Sequence, residues 1–211
     1  MNRKWFQMMD ADSGSLTPFD AYYHNFSESG HYHININKQG VPWIEHEILV
    51  HDAPDIPKQL SIDIEEYSNN LKKRKLDHCL QVRTGGFVTW YPSHSVFDLS
   101  IHGHGLDSKN LIFNSIHLQY GDIYLRKFLP PGSYVVKNSI NARDFKMQVK
   151  IDPIKGKNEF GRTRESIISP IKIICSENGF NQDSVVAVVG QPLIWIVDGK
   201  KSYRISIRLK K

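Results

Sequence analysis

From residue 31 onward the chain alternates apolar and polar side chains over short runs, and Gly or Pro closes most of them. In His31-Tyr32-His33-Ile34-Asn35-Ile36-Asn37, the residues Tyr32, Ile34 and Ile36 fall on one side and the polar residues on the other. Successive side chains of a strand point to opposite faces, so this run describes a strand with one buried face. Residues 44–50 and 60–64 repeat the pattern, and further strands are expected at 80–83, 87–90, 97–101, 123–125, 134–136 and 145–151. Gly85-Gly86, Tyr91-Pro92 and the glycines at 103 and 105 punctuate them. Many short strands with recurrent turn signals lead to an all-β, antiparallel sandwich or barrel, with helix in less than about a sixth of the chain. The one helical candidate, 64–76, ends in the basic run Lys72-Lys73-Arg74-Lys75, read as a solvated face.

Composition bounds the partners. The 211 residues are 40% apolar, enough for a buried core. The 27 Lys and Arg against 22 Asp and Glu leave +5, too thin and too dispersed a surplus for nucleic acid. No apolar stretch approaches the roughly 18–20 residues of a membrane span. Residues 1–10 carry positive charge but no apolar run, so no signal peptide is visible in them and the compartment stays open. The two cysteines, Cys79 and Cys175, read as ordinary buried thiols, with a bridge between them left open.

The chain divides into an N-terminal arm and first strands at 1–55, a main domain at 56–152, a linker at 153–169 rich in Lys, Gly, Arg and Ser, and a partial second β unit at 170–211. Residues 1–30 show little periodicity and are expected as an irregular arm on the surface. In the last segment, strands are expected at 171–174, 185–189, 193–197 and 203–209, with Asp198-Gly199 as a hairpin turn between the final two. Four strands bury too little alone. They must pair with the first domain, with the arm or with another subunit.

Residues 80–151 resemble a cupredoxin domain. The resemblance rests on Val82-x-x-Gly85-x-x-Val88-x-Trp90, then Phe113-Asn114-Ser115, Leu118-Gln119-Tyr120-Gly121, and Phe128-Leu129-Pro130-Pro131-Gly132-Ser133-Tyr134, in that order. It implies a Greek-key β-sandwich. Residues 178–192 look like the opening strands of a second, incomplete unit. Ser100-Ile101-His102-Gly103-His104-Gly105-Leu106 is similar to the His-x-His-Gly segment of multicopper oxidase and ceruloplasmin-like domains.

The departures from that family bear on function. A blue copper centre needs two His and one Cys thiolate. The thiolate should follow Tyr134, where Val135-Val136-Lys137-Asn138-Ser139 stands, and Phe97 occupies the place of the first histidine. A blue copper site is therefore not expected. His102 and His104, two apart on a strand, leave the same face and form a two-nitrogen clamp for copper or zinc. A third ligand would come from His94, His117, the arm histidines His24, His31 and His33, or another chain. His46 and His51, beside Glu45, Glu47 and Asp52, are weaker candidates, and the carboxylates Asp63, Glu65 and Glu66 are explained by alternation and exposure. Two functions remain: a non-catalytic cupredoxin-like module that binds a protein partner or assembles as a homo-oligomer without a cofactor, or a His-only copper-binding, oxidase-like subunit centred on His102 and His104. The family leans toward export.

Overall fold

The alternating runs form strands in the computed structural model, which describes residues 10–72, 79–93, 96–106, 110–140, 143–153 and 169–210. The short strand β1 (Ala11–Asp12) opens the described chain. It is followed by β2 (Asp20–Phe26), β3 (Gly30–Lys38), β4 (Val41–His51) and β5 (Gln59–Asp63). One helix, α1 (Ile64–Lys72), comes next, and Asp63 caps it by accepting the backbone N–H groups of Glu65 and Glu66. Then come β6 (Cys79–Arg83), β7 (Gly86–Tyr91), β8 (Leu99–Gly105) and β9 (Leu111–Asn114). The rest comprises β10 (Ile123–Lys127), β11 (Gly132–Ile140), β12 (Arg143–Asp152) and β13 (Ile171–Ser176), then β14 (Gly179–Phe180), β15 (Ser184–Val188), β16 (Pro192–Val197) and β17 (Arg204–Leu209). The expected all-β class holds, and the nine residues of α1 are the only α-helix among the described residues.

Three sheets result. A seven-stranded sheet runs β14-β13-β16-β10-β2-β7-β5, and two five-stranded sheets run β6-β4-β3-β8-β9 and β1-β17-β11-β12-β15. Tyr22 of β2 and Tyr124 of β10 are register partners at the centre of the long sheet, and both are fully buried. They point to the same side, so both shorter sheets cover that one face. The sheets are mixed, not purely antiparallel: β4–β6, β5–β7, β12–β15 and β13–β16 pair in parallel. Each of these strands returns to its own sheet after the chain has crossed to the other.

The chain contains the same sandwich twice. In each unit the first strand (β2 or β10) lies in the long sheet and a hairpin (β3–β4 or β11–β12) in a shorter one. The next three strands alternate between long, short and long (β5, β6, β7 or β13, β15, β16), and the last (β8 or β17) pairs back onto the hairpin's first strand. Side chains repeat with the strands. Asp20, Tyr22, Phe26, Gly30 and Tyr32 recur 102 residues later, without a gap, as Asp122, Tyr124, Phe128, Gly132 and Tyr134. Tyr32 donates to Glu28 O and Tyr134 to the equivalent Pro130 O. Gly85 and Gly190, at φ 74° and 83°, turn the chain where only glycine sits without strain, and their N–H groups donate to Phe26 O and Phe128 O. Trp90 stacks on Tyr22 at 5.9 Å between ring centres, and Trp195 on Tyr124 at 5.7 Å.

Several expectations are corrected by this pairing. The last four long strands do pair with the first domain and the arm, two of the partners expected for them, but that pairing moves the boundaries. β16 pairs β10, β15 pairs β12, and β17 pairs both β11 and β1, so the strands group as 20–114 and 123–209 and not at the divisions 56, 153 and 170 read from sequence. Asp198-Gly199 is no hairpin, because β16 and β17 lie in different sheets and the connection crosses between them. Residues 10–30 are not an irregular surface arm. Ala11, Ser13, Leu16 and Thr17 are buried, Leu16 exchanges backbone hydrogen bonds with Leu99, and β2 starts at Asp20. Most of the expected linker, and Lys73 to Lys75, fall outside the described residues.

Candidate functional site

The outer face of the β6-β4-β3-β8-β9 sheet gathers the histidines. Along β3, Tyr32, Ile34 and Ile36 face inward, which turns His31, His33, Asn35 and Asn37 outward. Glu45, Glu47 and His51 of β4 share that outer face with Cys79 of β6 and with His102 and His104 of β8. Register brings them together: His33 lies opposite both Glu47 and His104, Cys79 opposite Glu47, and His102 opposite Asn35.

His102 and His104 share the face expected of them. Gly103 between them faces inward, where the Phe113 ring takes the place of a side chain. His102 Nε2 is 3.0 Å from Ser100 Oγ. Partial burial, and then His104 nearby, hold His102 below the usual histidine range, which favours the neutral imidazole a metal requires. Of the third ligands considered, His94 lies outside the described residues, and His117 sits exposed in the loop after β9, its backbone N–H donating to Asn114 Oδ1. His24 is turned inward onto Asp122, leaving His33 as the nearest partner across the sheet. His46 points into the core and His51 pairs with Gln81, so neither joins the face's polar cluster as a ligand.

A tighter grouping lies two strands away. His31 Nε2 is 2.9 Å from Glu47 Oε2 and 3.9 Å from Cys79 Sγ. Among the described residues, these are the only three His, Cys, Asp or Glu residues whose donor atoms all fall within 4.8 Å of one another. Cys79 and Cys175 are thiols, not a disulfide, and burial pushes the Cys175 thiol well up. The sequence places His31 and Cys79 in separate strands 48 residues apart, and only the strand order β6-β4-β3 joins them.

The opposite side of the long sheet carries a groove of about 560 Å³ where β2, β5, β7 and β10 run side by side. Phe19, Tyr23, Phe87, Tyr91, Ile123 and Leu125 supply its apolar wall. Gln59, Ser61, Thr89 and Lys127 supply polar groups, and Asp20, which also borders it, is buried and spent on Arg126.

Beneath the groove the two units exchange side chains. Tyr22 donates to Asp122 Oδ2 at 3.0 Å and His24 Nδ1 donates to Asp122 Oδ1 at 2.6 Å. In the mirror arrangement Tyr124 donates to Asp20 Oδ1 at 2.7 Å and Arg126 holds both Asp20 oxygens at 3.2 and 3.0 Å. Burial, and then the facing carboxylate, push both tyrosines well above their usual range, so they remain donors. This buried set is a brace between the two units, and of its members Asp20 borders the groove. Comparison with protein-family models, with curated proteins and with solved structures finds no match to the chain.

Proposed function

We propose that the chain is a non-catalytic assembly module, a cupredoxin-like sandwich present twice and without a blue copper centre, which associates with a second copy of itself through the groove on the long sheet. The observation that carries this reading is the composition of that groove. Its walls are aromatic and aliphatic, and among the described residues Lys127 is its one exposed charged side chain. Depletion of charge around an apolar centre is the pattern of homodimer interfaces. A dimer of two identical copies uses the same patch on both, and this one lies across β2 and β10, where the two units meet. Sedimentation of the wild type and of Leu125→Glu tests it. The wild type should be dimeric and the variant monomeric with an unchanged far-ultraviolet spectrum. A wild type that is monomeric at every accessible concentration overturns the reading.

A second reading, a His-only copper site, draws support from the register of His104 on His33 beside His102. Copper(II), which imidazole ligands bind ahead of the other common divalent ions, is its cofactor. Copper titrated into wild type and into His102→Ala/His104→Ala should give a resonance signal from the wild type alone, and identical binding by both proteins removes it.

A further inference from the structure

We infer that His31, Glu47 and Cys79 form a zinc(II) site on the outer face of the first unit, with three protein ligands and a fourth position open to water. The site lies on a different sheet from the assembly groove and shares no residue with the His102 and His104 pair.

The argument is one of register. In the parallel pair β4–β6, Glu47 and Cys79 are direct partners, so both side chains leave the same face side by side. In the antiparallel pair β3–β4, His33 is opposite Glu47, which puts His31 on the diagonal, within reach of a long side chain. One imidazole nitrogen, one carboxylate and one sulfur thus converge from three adjacent strands, and sheet hydrogen bonds fix the spacing of their backbones. Zinc bonds of about 2.0 Å to nitrogen, 2.0–2.2 Å to oxygen and 2.3 Å to sulfur place tetrahedral donors roughly 3.3–3.8 Å apart. The separations of 2.9 Å and 3.9 Å bracket that range, so small side-chain rotations seat an ion.

Ligand chemistry selects the metal. A mixed nitrogen, oxygen and sulfur set suits zinc, which has no geometric preference from its d electrons, whereas calcium and magnesium demand oxygen alone. Side-chain exposure of 35% at His31 and 38% at Glu47 leaves the fourth position facing solvent. Three ligands with one open position is the arrangement of zinc sites that bind an exchangeable molecule, not of closed structural sites.

Zinc competition against a chromophoric chelator, on the full chain, reads the site directly. The wild type should take up one zinc ion. His31→Ala, Glu47→Gln and Cys79→Ser should each weaken binding by more than the roughly 10–100-fold typical of residues that merely orient a ligand. His102→Ala/His104→Ala should bind as the wild type does. A second measurement needs no variant: stoichiometric zinc should slow alkylation of Cys79 by iodoacetamide, while Cys175, buried in the other unit, stays unreactive with or without metal. A wild type that binds no zinc overturns the inference. So does unchanged affinity in the three ligand variants, loss of affinity in the His102 and His104 variant, or alkylation of Cys79 at one rate with and without zinc.

Discussion

His46 carries its imidazole into the core of the first unit, against Tyr67 and the edge of Trp90, whose Nε1 points at His46 Nε2 across 3.5 Å. Burial, with His33 as a lesser contributor, lowers its pKa from 6.5 to about 3. Above the unfolded value both states are neutral and His46 leaves stability unchanged. As pH falls below about 6.5 the unfolded chain takes up a proton that the folded chain refuses, so stability is lost progressively down to about pH 3. Denaturant titrations at pH 7, 6 and 5 should show the wild type losing more stability than His46→Leu. The excess approaches about 1.4 kcal/mol per pH unit once the unfolded histidine is protonated. Equal slopes in the two proteins would remove His46 as the cause. Trp90, with none of its surface exposed, fills the space between the sheets, and Trp90→Ala should cost roughly 3–5 kcal/mol. A loss under about 1 kcal/mol in the same titration would show a site able to collapse around the vacancy.

At the scale of elements, the exchange of side chains between β2 and β10 contrasts with the ion pairs on the surface. Arg126 and Asp20 are both buried, whereas Arg204 and Asp12, which join β17 to β1, are part-exposed. Asp20→Ala strands a buried guanidinium and should cost about 3–5 kcal/mol. Asp12→Ala, whose partner returns to water, should cost less than about 1 kcal/mol. Comparable losses in the two variants, by chemical denaturation, would contradict the brace. The strands themselves were legible, because a period of two in residues such as Tyr32, Ile34 and Ile36 reports a buried face directly. Their partners were not. Asp198-Gly199 has the composition of a hairpin turn, yet β17 pairs with β11, as its equivalent β8 pairs with β3, and those partners are distant in sequence. The internal repeat was visible in principle as Asp-x-Tyr-x-x-x-Phe-x-x-x-Gly-x-Tyr at 20 and again at 122. Few identities over a period of about a hundred residues, masked by His24 against Arg126, made it easy to pass over. The candidate site divides in the same way. His102 and His104 share a face by periodicity alone, but the meeting of His31, Glu47 and Cys79 depends on a parallel pairing that the chain makes only after passing through β5 and α1.

For the whole molecule, the two units should behave as one. Chains 1–116 and 117–211, produced together, should assemble into a one-to-one complex with the far-ultraviolet spectrum of the intact protein, because β1 and β2 of the first piece still find β17 and β10 of the second. Each piece alone should lack a cooperative unfolding transition, and a piece that folds independently would show that the brace is dispensable. The crossed carboxylates also bear on how such a chain can change over time. A repeat that carried its own complete set of partners could be copied or lost as a module. Here Asp122 completes the first unit and Asp20 the second, so a change in either half is answered in the other. His24 facing Asp122 and Arg126 facing Asp20 show that one carboxylate at this position serves two different partners, each supplied by the other half.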